Sequence, residues 1–210
     1  IYTARYTLSL HDALPICIHG LSNTNVSVYY RWLKKMNENQ VWQWRTGASV
    51  KLPTGRFVEG IHDQNLPENF NPSDGSWGLG MSTDLTYSRP NYGFIWNVDG
   101  RYNFDDPTGY QMGMTISSQL TYYYNFQIFK VNWMPYAGVM LEGVGPNRYA
   151  SGKRVESTGG HGVYASVGLQ ADLGTFNLGM NYMQPLAFKY GEGQIEAGSR
   201  IQFQVTYLFN

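Results

Sequence analysis

Ten charged residues share one property. Arg31, Arg45, Lys51, Asp84, Asp99, Arg101, Lys130, Asp172, Glu196 and Arg200 each occupy an alternate position in a stretch whose other positions are largely apolar. On strands, such spacing gathers the charges on one face. If that face is enclosed, the side chains either pair with one another and fill the space, or line a polar passage. Both signs occur, which argues against a filter for a single kind of ion and for mutual pairing. Arg45, Lys51, Asp84, Asp99, Arg101, Lys130, Glu196 and Arg200 are the candidate lining residues. Arg45, Asp84, Asp99 and Arg101 fall on consecutive stretches at similar depth and are expected to form one interior network.

Catalytic candidates are few. His62, Asp63 and His161 lie outside the alternating stretches and could serve a hydrolase placed at a rim, although loop His and Asp residues are ordinarily just solvated. As metal ligands they have no recognised spacing. The sequence has no G-x-S-x-G, no phosphate loop after a strand and no dinucleotide fingerprint, so no enzyme and no cofactor is expected. The segment 143–162 carries Arg148, Lys153 and Arg154. It could meet lipopolysaccharide phosphates or fold inward as a constriction, but reads first as a mobile surface loop.

The elements that position these residues alternate with period two. Nine stretches qualify: 25–34, 41–52, 76–88, 92–104, 110–123, 127–142, 163–173, 176–188 and 195–209. In 41–52, Trp42, Trp44, Thr46, Ala48, Val50 and Leu52 oppose Gln43, Arg45, Gly47, Ser49 and Lys51. No helical periodicity competes. Links at 35–40, 89–91, 123–126 and 174–175 are short. They alternate with links at 53–75, 105–109, 143–162 and 189–194, two of which are long and which are rich in Gly, Pro, Asn and Asp. The two kinds therefore belong to opposite rims.

Composition decides which face meets what. Charged residues make up 14% of the chain and aromatics 16%, with 15 basic and 15 acidic side chains. A neutral chain lacks the electrostatic footprint of a nucleic-acid binder. A soluble surface would need about a quarter to a third charged residues. No apolar run is long enough for a transmembrane helix. Along the apolar faces, aromatics cluster near both ends of the stretches and aliphatic residues fill the middle. In the eight stretches from 41 onward, no Lys, Arg, Asp or Glu falls on those faces. Two aromatic belts around an aliphatic band fit a transmembrane antiparallel β-barrel better than a soluble sandwich or lipocalin-like barrel. Its long loops would be extracellular and its short turns periplasmic.

Residues 1–17, IYTARYTLSLHDALPIC, resemble the translation of a short-read sequencing adapter and are excluded from the reasoning. The barrel then occupies 18–210. Cys17, the single cysteine, goes with the excluded segment, so no thiol chemistry is expected.

Lys51-Leu52-Pro53-Thr54-Gly55, ending a strand before a long loop, resembles a motif of Gram-negative outer-membrane barrels labelled "putative MetA-pathway of phenol degradation" or "transporter". The segment Arg200–Asn210, with Tyr207 and Phe209, resembles the insertion signal of such barrels. The resemblance implies an outer-membrane channel passing small solutes, hydrophobic or aromatic ones among them, with outer-membrane lipid and lipopolysaccharide as its surroundings. Oligomeric state is open. The alternatives are a structural or adhesive barrel with a plugged lumen and, further off, the rim hydrolase. Nine strands starting at the long-loop rim are an odd count. Single-chain bacterial barrels have even counts, so the stretch is expected to be N-terminally truncated and to leave a seam between 25–34 and 195–209.

Overall fold

Alternating side chains of unlike polarity suit a sheet with two different environments. A computed structural model describes residues 22–37, 39–57 and 73–207. They form one antiparallel ten-stranded sheet. The strands are β1 (Thr24–Asn37), β2 (Gln40–Leu52), β3 (Gly78–Ser88), β4 (Tyr92–Asn103), β5 (Thr115–Tyr124), β6 (Phe126–Ile128), β7 (Val131–Val144), β8 (Gly160–Asp172), β9 (Phe176–Tyr190) and β10 (Arg200–Tyr207). Each pairs with its neighbours in chain order. The short β6 pairs only with β7 and continues the arm begun by β5. The excluded segment 1–17, with His62 and Asp63, lies outside the described residues.

The sheet is inside out relative to a water-soluble core. Met81, Leu141, Leu186 and Phe203 are exposed, Met81 to 76%. Apart from the small Ala171, the buried side chains of the strands belong to the opposite face, among them Lys51, Asn103, Tyr123, Ser166 and Tyr164, the last at 0%. Arg200 on β10 reaches Glu142 on β7, across two intervening strands. Such reach requires a curled sheet with its polar face inside.

Tyrosines fill that inner face by lying over glycines. Tyr29 pairs with Gly47, Tyr123 with Gly93 and Tyr136 with Gly168. A Cβ at Gly168 would stand 2.2 Å from Tyr136 Cζ. An aromatic ring covering a strand glycine shields backbone that the missing side chain would leave bare.

The outer face carries aromatic ladders. Trp42, Tyr87, Phe94 and Tyr122 succeed one another across four strands, with centroid separations of 4.6, 5.5 and 5.9 Å. They lie toward the short-turn rim. Tyr102 and Phe104 make an edge contact at 5.3 Å toward the long-loop rim. Lys35 departs from expectation. A bulge between Arg31 and Leu33 shifts the register, and β1 runs on to Asn37. Lys35 thereby pairs with Trp42 and shares its face. It sits near the short-turn rim, where a long side chain reaches water past the ladder.

Three boundaries differ from the alternation. The turn expected at 123–126 lies instead at Phe129 and Lys130, whose φ values of 51° and 64° are those of a tight two-residue hairpin turn. β5 starts at Thr115, because Gln111 exchanges backbone hydrogen bonds with Arg148 of the next long loop. β10 starts at Arg200. A 3-10 turn at Gly191–Gly193 and an isolated bridge between Tyr190 and Ile195 take up the preceding segment.

β1 and β10 are the sheet's two edges, and no pairing joins them among the described residues. With nine antiparallel arms between the rims, both edges run from the long-loop rim to the short-turn rim.

Candidate functional site

Three clusters occupy the concave polar face. At mid-depth Arg45 on β2 stands opposite Asp84 on β3, and the two form an ion pair at 3.2 Å. Asp84 also accepts a hydrogen bond from Asn97 on β4. Arg31 on β1 is paired in register with Arg45. Two arginines and one carboxylate thus follow one another across three strands.

Asp99 belongs to a different set. It accepts from Ser117 on β5. Arg101 makes no ion pair among the described residues. The expected single network of Arg45, Asp84, Asp99 and Arg101 is therefore two separate contacts. The register explains the separation: Asp84 faces Asn97, while Asp99 faces Ser82 and Ser117. Between them lies a hollow of about 320 Å³, bordered by Ser49, Gly80, Ser82, Asp84, Asp99 and Arg101 among others.

The second cluster sits at the long-loop rim. Lys51, 6% exposed, ends β2 and points inward. Its ammonium pairs with Asp74 and donates to Ser76 Oγ at 3.1 Å and Asn103 Oδ1 at 2.8 Å. Asn23 donates to Asp74 and accepts from Ser73. The Pro-Thr-Gly that follows Lys51-Leu52 caps the start of β1, with Thr24 N–H donating to Thr54 Oγ1 at 2.9 Å. Proline ends the ladder here, and the next two residues supply side-chain and backbone partners. The returning end of the long loop, Ser73 to Ser76, is thereby tied to the inner face. Asp74 carries no signal in the alternation, since its Ser-Asp-Gly setting reads only as a turn.

The third cluster joins four strands, β7 to β10. Arg200 donates to both carboxylate oxygens of Glu142, at 3.1 and 3.2 Å, and to Tyr164 Oη at 2.9 Å. Its guanidinium lies 4.5 Å from the centre of the Tyr164 ring. Tyr190 donates to Glu142 at 2.7 Å and lies 3.0 Å from Tyr164 Oη. A forked guanidinium on a carboxylate, stacked on an aromatic ring, is a firm and directional unit. A hollow of about 530 Å³ opens beside it toward Asp99, Thr115 and Ser117.

Of the remaining candidates, Lys130 lies in the β6–β7 turn rather than in a strand, so it stands at the rim and not along the sheet's inner face. Glu196 is exposed and precedes β10 instead of lying in it. Asp172 caps the β8–β9 turn through Gly174 N–H, at 2.8 Å. His161 is the second residue of β8 and is exposed. Among the described residues no group of three His, Cys, Asp or Glu could hold a metal. At the short-turn rim Arg89 donates to Tyr87 Oη at 2.6 Å, and that hydrogen bond raises the guanidinium's proton affinity above its ordinary value. The segment 143–162, read first as mobile, is tied down. Asn147 Oδ1 accepts from Gly113 N–H at 2.8 Å, and Asn147 Nδ2 donates to Tyr110 Oη at 2.8 Å.

This arrangement of curled antiparallel sheet, exposed apolar face and enclosed polar face is an outer-membrane β-barrel fold. The chain is similar to the crystal structure of the COG4313 outer membrane channel from Pseudomonas putida F1, with a TM-score of 0.64 and 12% sequence identity. The likeness covers 90% of this chain and 65% of that channel, so the chain spans less than two thirds of its length. At this identity the likeness shows the fold alone. No family model matches the chain, and no curated protein does.

Proposed function

We propose that the chain forms part of the wall of an outer-membrane channel for passive passage of small molecules. One observation carries this reading: the polar face is buried and the apolar face exposed. A soluble fold would do the reverse, since exposing so large an apolar surface to water costs about 25 cal/mol per Å². In a bilayer the same surface meets hydrocarbon, and the aromatic ladders lie at its two interfaces. The long loops face outward and the short turns the periplasm. The channel role of the structural neighbour agrees with this reading.

Hollows beside paired charges of both signs suit small, weakly selective permeation. Passage of hydrophobic or aromatic solutes rests only on the family resemblance of the Lys51–Gly55 motif. The test is solute flux into liposomes carrying the purified protein, alongside conductance in planar bilayers. Conductance and uptake of small neutral solutes are expected. Stable insertion with neither would refute permeation.

One observation favours a second reading, a barrel serving a structural role with its lumen plugged. Lys51 draws Ser73–Ser76 onto the inner face at the long-loop rim. Flux that stays at zero in the parent but rises when Asp74 is replaced would favour the plug.

A further inference from the structure

We propose that Arg148 and Arg154, on the long-loop rim, form a two-guanidinium site for a phosphate group. The two residues face each other in an isolated antiparallel bridge. The hydrogen bonds flanking them run from Tyr149 N–H to Lys153 O and from Val155 N–H to Asn147 O, each at 2.9 Å. Arg148 and Arg154 are thus a non-hydrogen-bonded pair, the kind whose side chains approach most closely and share one face.

Like charges directly opposite destabilise a pair of strands. Both side chains are exposed, and neither makes an ion pair among the described residues. Their backbone is nevertheless held in place from the other side. Arg148 and Gln111 exchange two backbone hydrogen bonds at 2.9 Å. Asn147 fastens the adjacent turn through Gly113, Tyr110 and Thr158. This docking holds the two Cα atoms opposite each other, so both guanidinium groups stay tethered to one small patch of the rim. A bridging anion would turn their repulsion into charge-assisted hydrogen bonds.

The chemistry selects the anion. Two forked donors carry two positive charges and want several acceptor oxygens. A phosphate monoester brings three terminal oxygens and about −1.5 to −2 charge. A carboxylate brings two oxygens and one charge, and would neutralise only half the site. The phosphate can come from a lipid headgroup in the adjoining leaflet or from solution. The lipid source rests on the membrane placement proposed above; the anion chemistry does not.

The test uses the purified chain in detergent. Short-chain phosphatidic acid in mixed micelles, diacylglycerol in the same micelles, and inorganic phosphate are titrated separately. Solute flux is measured on liposomes reconstituted from the same purified protein, so that intact phosphate binding without flux counts against permeation alone. Phosphatidic acid micelles should bind and diacylglycerol micelles should not. Affinity should fall at least about tenfold in the double variant Arg148→Gln/Arg154→Gln. Arg148→Lys/Arg154→Lys, which keeps both charges but not the forks, should bind more weakly than the parent and more tightly than the double Gln variant, with the salt sensitivity retained. Lys35→Gln/Lys130→Gln, which removes two charges at the opposite rim, should bind as the parent does. Equal affinity for inorganic phosphate would assign the site to a soluble ion, and weaker affinity to a headgroup. Binding by the double Gln variant at the parent's affinity, or no phosphate binding by the parent, would overturn the proposal.

Discussion

Tyr136 on β7 lies directly opposite Gly168 on β8, and its ring fills the space a side chain there would need. A Cβ at Gly168 would also come within 2.6 Å of the Met180 carbonyl, which cannot move aside as a flexible side chain can. Gly168→Ala should therefore destabilise the protein by roughly 1–3 kcal/mol, the usual range for overpacking. Gly100→Ala should cost nothing comparable, because its nearest neighbour is 3.8 Å away. Denaturant unfolding from detergent compares the two. Equal effects would mean that the tyrosine rings do not occupy the inner face.

Lys51 and Asp74 tie the returning long loop to the inner wall. Asp74→Ala leaves a buried ammonium with two neutral partners, Ser76 and Asn103. The expected loss is about 3 kcal/mol, as for breaking a buried ion pair from one side. Release of Ser73–Ser76 should also raise conductance. Conductance unchanged at full stability would show that the tie neither supports the wall nor narrows the path.

At mid-depth Arg45 pairs with Asp84, and Arg31 stands in register beside Arg45. Asp84→Asn leaves that level with a surplus of positive charge. Reversal potentials across a salt gradient should then shift toward anion preference. The shift should shrink at high salt, where the Debye length falls to about 3 Å. No shift would place these residues away from the permeating ions.

Lys130 sits in a turn that requires positive φ at both central residues. Lys130→Gly should stabilise the hairpin by about 1 kcal/mol, since glycine adopts that conformation without a Cβ clash. Ion selectivity should not change, because the residue stands at the rim. A change in selectivity would return Lys130 to the lining.

The strands were legible because their faces meet opposite environments, and nearly every position reports which face it is on. Trp42 to Leu52 alternates without interruption and becomes β2 with its ends at most two residues away. The β6–β7 turn was hidden for a related reason. Aromatics lie on both faces between Tyr122 and Phe129, so the side-chain sequence does not mark where the alternation changes phase. Phe129 and Lys130 also lack the glycine or asparagine that announces such a turn. Glu196 was misplaced because Ile195, Ala197 and Ser199 continue the β10 pattern, while backbone pairing of Ile195 with Tyr190 withdraws them from the sheet. Of the candidate site, Arg45–Asp84 was readable from depth alone. Lys51–Asp74 and Arg200–Glu142 join distant segments, one through a loop and one across two strands, and no local spacing encodes them.

The inside-out wall is tested most directly by cysteine accessibility along β3, in a background carrying Cys17→Ser. Single cysteines at Leu79, Met81, Ser82, Thr83, Asp84 and Leu85 are reacted in liposomes with a membrane-impermeant thiol reagent and quenched with a lipid-soluble nitroxide. Positions 82 and 84 should react with the aqueous reagent and escape the nitroxide, while 79, 81, 83 and 85 should do the opposite. Aqueous reactivity at 81 and 83 with protection at 82 and 84 would contradict a polar lumen enclosed by a lipid-facing wall.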